Sequence, residues 1–266
     1  MQATYAPLAT KNAGVELELI VPAVLAQPPA LDSYVQISRL YRRVGVGILL
    51  SSGDPRDFYA HLFNSSRAFG FFLSRVSDDE KVTAQNEAFF DAVACRDEEG
   101  ARLIASLSRQ SLHGGREYEE DFIYLALLQR WFLGAEVGAL APMLEEWARY
   151  AAANPDVRLP VCRALLAGDA DAFDEAMTMA IESKLQQWDE LRAADLLHPD
   201  DASTTCCVST EVLAWLELAD RRGLETQLEY RLAPSLARRF HRVSFPAPDE
   251  WQRPSGFSSL TAEGGG

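Results

Sequence analysis

Two related stretches decide the fold: AVACRDEEGARLIASLSR, from Ala92 to Arg109, and CRALLAGDADAFDEAMTMA, from Cys162 to Ala180. In each stretch a short apolar segment leads into a turn that contains Asp and Gly, and an Ala-rich amphipathic segment follows. The carboxylates of the turn suit the start of a helix, because the helix dipole favours negative charge there. We therefore interpret both stretches as helix–acidic-turn–helix units.

Apolar residues recur at intervals of three and four along most of the remaining chain, which is the spacing of one helical face. Residues 117–133 are apolar around most of a helix circumference, and this predicts a buried central helix with Phe122 and Trp131 in the core. Residues 224–230 alone suggest a short extended segment. The clearest helical stripe consists of Phe173, Met177, Ala180, Ile181, Leu185, Trp188 and Leu191.

These patterns predict an all-α fold: a compact bundle of about nine or ten helices arranged as helical hairpins, with a weak tetratricopeptide-like repeat. We expect residues 1–243 to form a single helical domain, with residues 1–13 as a flexible arm. Residues 244–266 contain several prolines together with Phe245 and Trp251, and they are predicted to form an irregular C-terminal tail.

The chain is acidic, with 39 Asp and Glu residues against 25 Lys and Arg residues and a net charge of −14. This balance argues against direct binding of nucleic acid, which needs a basic surface to neutralise phosphates. It is compatible with a basic protein partner, because complementary fields speed encounter. The alternative is that the charge only keeps the protein soluble.

The sequence favours a cytoplasmic protein. Its four cysteines include no CxxC pair, and Cys95 and Cys162 lie among apolar neighbours, as reduced buried thiols do. The first apolar stretch carries Glu16 and Glu18 and lacks the basic start of a signal peptide. No apolar run approaches the roughly 18 residues that a membrane span requires.

No motif for catalysis or for metal binding is visible. The four histidines, His61, His113, His198 and His241, occur in no HExxH or HxxxH pattern, and the chain has no GxSxG or phosphate-binding glycine motif. Neighbouring carboxylates such as those of Glu119 and Glu120 point in different directions on a helix. We therefore expect no catalytic residue, no metal and no cofactor.

The acidic turns are the candidate binding residues. Carboxylates at helix starts stabilise the helix by about 0.3–1 kcal/mol each, and this alone could explain many of them. The hypothesis beside it is that both turns face solvent and form part of a surface for a basic partner. If the turns only start helices, Phe245 and Trp251 of the tail are the next candidates. The turn residues are Asp97, Glu98 and Glu99 in the first unit and Asp169, Asp171 and Asp174 in the second.

Three segments resemble immunity protein family 49 of the polymorphic-toxin immunity proteins. They are DPRDFYAHLFNSSRAFGFFL (Asp54 to Leu73), LLAGDADAFDEAMTMAIESKLQQW (Leu165 to Trp188) and STEVLAWLELADRRGLETQLEYRLAPSLA (Ser209 to Ala237). The third segment combines an apolar helix, an Ala-Asp-Arg-Arg-Gly-Leu step and a proline. Together the segments cover the chain from about residue 54 to residue 237.

The resemblance implies a helical, non-enzymatic inhibitor that is made beside a toxin of interbacterial competition and protects its producer by binding that toxin. The resemblance assigns no role to any individual residue of this chain. Our hypothesis is an immunity protein that occludes the active site of a cognate toxin acting in the cytoplasm, and the toxin's cleft is expected to be basic. The alternatives are a tetratricopeptide-like scaffold or chaperone that binds peptides, and an enzyme whose active site the sequence does not reveal.

Overall fold

The computed structural model describes residues 5–238 and 244–258. This part of the chain is all-α, as predicted, and contains no β-strand. The segment expected to be extended, residues 224–230, contributes only an isolated bridge between Tyr230 and Ala233. The described residues form eleven helices: α1 (Ala6–Leu25), α2 (Leu31–Ser52), α3 (Pro55–Leu73), α4 (Ala88–Ala94), α5 (Glu98–Leu107), α6 (Glu119–Phe132), α7 (Val137–Ala151), α8 (Arg158–Ala167), α9 (Ala170–Ala193), α10 (Pro199–Ala202) and α11 (Thr210–Arg222).

Short polar side chains and glycines set the ends of these helices. Asp and Ser side chains accept a hydrogen bond from a backbone N–H of the first turn, which otherwise has no partner inside the helix. Glycines in the left-handed conformation end three helices, because they adopt this conformation without strain. The N-caps are Asp54 of α3, Asp97 of α5, Asp169 of α9 and Ser209 of α11, and the C-caps are Gly53 of α2, Gly168 of α8 and Gly223 of α11.

The helices pack mostly on their neighbours in sequence. Helix α2 packs against α1 and α3, α3 packs against α4 and α5, and α6 to α9 follow one another, each packed on the next. Helix α11 returns to pack on α4. The buried apolar side chains form one continuous cluster, in which the tryptophans Trp147, Trp215 and Trp251 are fully enclosed. None of the described helices is long and apolar enough to cross a membrane.

The N-terminal arm predicted for residues 1–13 is mostly helix. Helix α1 begins at Ala6, and Ala6, Ala9 and Ala13 are fully buried. Small side chains allow this close packing against α2, where a Cβ on Gly47 would lie 1.9 Å from the Thr10 hydroxyl. Residues 1–4 of the predicted arm lie outside the described residues.

Two predicted core tryptophans are less buried than expected. Trp131 and Phe122 of α6, and Trp188 of α9, are only partly buried, whereas Met177 of α9 is fully buried. The reason differs between the two helices. The neighbours of α6 cover its other sides, and the second half of α9 extends past the end of the shorter α8. Trp147 of α7 is completely buried instead.

The tail packs on the bundle. Its described part, residues 244–258, is irregular apart from one 3-10 turn at Glu250–Gln252, and we call it the C-terminal strap. Phe245 stacks on Phe63 at 4.7 Å, and Trp251 is 1% exposed and meets Phe71 edge to face at 5.2 Å. The Tyr41 hydroxyl donates to the Trp251 carbonyl at 2.6 Å. Trp251 is therefore part of the core, and the idea that it contacts a partner is wrong.

Candidate partner-binding surface

Asp97 of the first acidic turn is buried, contrary to the expectation that it faces solvent. It is 3% exposed and caps α5 by accepting from the Gly100 N–H at 3.0 Å. The guanidinium of Arg67 on α3 donates to both of its oxygens, from Nε at 3.0 Å and from Nη2 at 2.7 Å. The Ser66 hydroxyl donates to it at 3.0 Å. Asp97 is buried because the turn lies against α3, whose own buried arginine needs a carboxylate.

The other two carboxylates of this turn lie on the outside. The Glu99 side chain is 82% exposed and contacts Arg67 at 3.1 Å. The half-exposed Glu98 pairs with Arg102 of α5 at 2.8 Å and with Arg221 at the end of α11. Partial burial raises the pKa of Glu98, but the two arginines outweigh this and hold the pKa below its ordinary value.

The second acidic turn is more open. Asp169 and Asp171 are exposed, as expected, and Asp169 caps α9 by accepting from the Ala172 N–H at 3.1 Å. Asp174 is only partly exposed, because it accepts hydrogen bonds from the Tyr230 hydroxyl at 2.7 Å and from Gln227 at 2.6 Å. Burial and this bond to Asp174 raise the pKa of Tyr230 to about 12. Asp174 therefore holds the loop after α11 in place.

Both turns lie at the same end of the molecule, a relation that the sequence did not predict. Two adjacent arginines end α11, where the helix dipole favours positive charge. Arg221 reaches Glu98 of the first turn. Arg222 donates to the Leu166 carbonyl at 3.5 Å, and its guanidinium lies 3.6 Å from the position of a Cβ on Gly168, beside the second turn. Each acidic turn is thus one arginine side chain away from the end of α11.

An apolar groove lies next to the second turn, between the outer faces of α8 and α9. We call it the α8–α9 groove; it has a volume of about 380 Å³. Sequence analysis missed it, because alanines indicate a helix and do not show which face stays uncovered. The available signal was their spacing, three and four residues apart on both helices. The lining residues are Pro160, Arg163, Ala164 and Ala167 of α8 with Asp169, Ala172, Glu175, Ala176 and Met179 of α9.

A second cleft, of about 310 Å³, lies beneath the second half of α9. Its charged side chains are all in ion pairs, two of them within the lining and one between Asp201 of the lining and Arg43 beside it. Lys184 pairs with Glu211 at 2.9 Å, and Arg42 pairs with Glu87 at 2.7 Å. Cys206 also lines this cleft. Burial, with smaller effects of Asp201 and Cys207, raises the pKa of Cys206 to about 12, so its thiol is protonated at neutral pH. This is the opposite of an activated nucleophile.

The side chains that could bind a metal ion or act as nucleophiles do not cluster in the described part of the chain. Within residues 5–238 and 244–258, no group of three or more His, Cys, Asp and Glu side chains is placed to hold a metal ion. Burial also raises the pKa of the thiols of Cys95 and Cys162. The acidic turns and the α8–α9 groove lie together around α8, α9 and the C-terminus of α11, and they form the candidate partner-binding surface.

Comparison with known proteins identifies the family. The sequence model of the family described as Immunity protein 49 matches residues 58–237, a range that begins in α3 and includes both acidic turns, the α8–α9 groove and all of α11. A search of curated proteins and a search of solved structures found no match. The family match confirms the resemblance seen in the sequence and covers more than half of the chain. The chain therefore belongs to the Immunity protein 49 family, whose members are immunity proteins of toxin systems.

Proposed function

We propose that this protein binds a cognate toxin in the cytoplasm and neutralises it by covering the toxin's active site, with no catalytic step of its own. The family match over residues 58–237 carries this proposal. Two features of the cleft beneath the second half of α9 support a binding role over a catalytic one. Its charged side chains are in ion pairs, and the pKa of Cys206 is raised.

The charge of the exposed turn residues supports a basic partner. Glu98, Glu99, Asp169 and Asp171 are exposed or half-exposed in the two turns. Arginines pair with Glu98 and Glu99, but the chain as a whole carries a net charge of −14. A toxin that acts on nucleic acid or nucleotides presents a basic cleft to a polyanionic substrate, and an acidic surface complements it. We propose that these carboxylates steer the toxin into place, while packed side chains hold it there.

The test uses the toxin domain encoded beside the gene for this protein, purified and presented to the protein in a binding experiment. We expect a stable complex that forms faster at low salt than at high salt, because long-range attraction between the two surfaces is screened by ions. Failure of this toxin domain to bind would contradict the proposal.

One substitution separates steering from helix stabilisation. Asp97 is unsuitable, because reversing a buried charge would unfold the turn. Asp171 is exposed and lies in the first turn of α9, so Asp171→Lys changes charge without breaking a packed contact. Asp32→Lys is the matched control, since Asp32 is exposed in the first turn of α2 and loses the same helix-dipole stabilisation.

We expect Asp171→Lys to slow association with the toxin by about threefold or more at low salt and to leave dissociation nearly unchanged. Asp32→Lys should leave both rates unchanged. Equal association rates for the two variants would show that Asp171 only starts its helix.

A further inference from the structure

We infer that the α8–α9 groove receives an apolar helix of the cognate toxin, flanked by basic side chains that lie against Asp169, Asp171 and Glu175. This inference rests on the proposed function and goes beyond it, because it names the surface that anchors the toxin.

The groove has the shape that a third helix fills. Each helix contributes one stripe of lining residues, and the small ones are Ala164 and Ala167 of α8 and Ala172 and Ala176 of α9, beside the larger Pro160, Arg163, Glu175 and Met179. Both stripes follow the three- and four-residue spacing of a helical face. A groove between two helices with small side chains on the floor accepts the ridge of another helix, which is a common way of recognising amphipathic helices.

The packing order leaves this face uncovered. Helices α6, α7, α8 and α9 pack one upon the next, and in the described part of the chain α9 packs chiefly on α8. The last helix of such a stack normally has a polar outer face, because nothing in the chain covers it. Here the outer face carries Met179, which is 53% exposed, and the exposed Ala167 and Ala172.

The charge around the groove favours a basic partner and disfavours a second copy of this chain. Asp169, Asp171 and Glu175 are exposed at or beside the groove, and they outnumber the two nearby cations, Arg163 in its lining and Arg222 beside Gly168. In a two-fold dimer the same patch meets itself, so these carboxylates would be brought together. Like charges placed opposite each other at an interface disfavour binding. A toxin helix with an apolar ridge would pack on the floor of the groove, and its basic side chains would pair with the carboxylates around it.

The experiment measures the affinity of the full chain for the same purified toxin domain by titration calorimetry, with two groove variants. Met179→Arg removes the exposed apolar side chain and adds a cation, and Ala172→Trp fills the groove from an exposed position. Leu19→Arg is the matched control, because Leu19 is a 72% exposed apolar residue on α1, which packs on α2, α10 and the C-terminal strap. Thermal unfolding verifies that all three variants are folded.

We expect each groove variant to weaken the affinity by about tenfold or more, as for a central interface residue. Leu19→Arg should bind within about twofold of the wild type, since an exposed side chain outside an interface contributes little. Unchanged affinity in both groove variants, with a wild type that binds, would overturn this inference and leave the proposed function standing. A wild type that does not bind would overturn the proposed function as well. A wild-type dimer that Met179→Arg dissociates would show that a second copy occupies the groove.

Discussion

Replacing Asp97 by alanine should destabilise the protein strongly. The turn at Asp97 resembles the turn at Asp169 in sequence, but only Asp97 is buried. Asp97 accepts hydrogen bonds from the Gly100 N–H, the Ser66 hydroxyl and both Nε and Nη2 of Arg67. The substitution removes an N-cap and leaves a buried guanidinium with one exposed partner, Glu99, at 3.1 Å. Burial acts to lower the pKa of Arg67, yet Glu99 and Asp97 together raise it, so this arginine stays charged.

The expected loss of stability follows from these contacts. Loss of an N-cap costs about 1 kcal/mol, and removing one partner of a buried ion pair costs about 3–5 kcal/mol. Because Glu99 continues to neutralise part of the charge, we expect Asp97→Ala to lower the free energy of unfolding by about 3–4 kcal/mol. Glu99→Ala should cost less than about 1 kcal/mol, since its side chain is mostly exposed.

Urea unfolding followed by tryptophan fluorescence measures these differences. Combining Asp97→Ala with Arg67→Met gives the control, because the double variant leaves no unpaired charge and should lose less stability than the sum of the two single variants. A loss below about 1 kcal/mol for Asp97→Ala, equal to that of an ordinary helix cap, would refute the buried role of this carboxylate.

Three further predictions follow from the packing. Trp147→Ala should lower the free energy of unfolding by about 3–5 kcal/mol, because Trp147 is fully buried, and Trp131→Ala should lower it clearly less, because Trp131 is only partly buried. Chemical denaturation of both variants measures the two losses. Equal losses would contradict the packing of α6. Burial lowers the pKa of His61 to about 4 against about 6.5 in an unfolded chain, so its contribution to stability is complete above pH 6.5 and is lost as the pH falls towards 4. His61→Phe should therefore show less loss of thermal stability than the wild type across this pH range, and parallel curves would contradict the burial of His61. Trp251→Ala should destabilise the whole bundle by about 3 kcal/mol or more, and a loss confined to the C-terminal strap in hydrogen exchange would show that the strap packs independently.

The sequence predicted where the helices lie, but it did not predict which of their faces are buried. Apolar spacing predicts a helix because one face must be buried, and Asp97 and Asp169 were recognisable as residues that start helices. The arm at residues 1–13 was misjudged, because Ala6, Ala9 and Ala13 carry too little apolar surface to stand out as a stripe. Their burial depends on the glycine of α2 at position 47, which lets the two helices approach closely.

The candidate partner-binding surface could not be predicted without knowing how the helices pack. Asp97 and Asp171 occupy similar turns, and only the position of Arg67, 30 residues before Asp97, makes one buried and leaves the other exposed. The meeting of both turns at the end of α11 likewise depends on how distant helices pack. The alanines of α8 and α9 could all have belonged to the core. Ala164 and Ala176 are buried, whereas Ala167 and Ala172 are exposed because no further helix covers them in the described part of the chain.

The most direct test of the account is a survival assay with the neighbouring toxin domain, expressed in the cytoplasm of a sensitive bacterium with and without this protein. We predict that cells producing the toxin alone die and that co-expression restores growth, and that Met179→Arg protects less well than Leu19→Arg at equal protein levels. An immunoblot for both proteins verifies that protection does not come from loss of the toxin. Cell death at the same rate with and without this protein, while both proteins are present, would contradict its assignment as the inhibitor of that toxin.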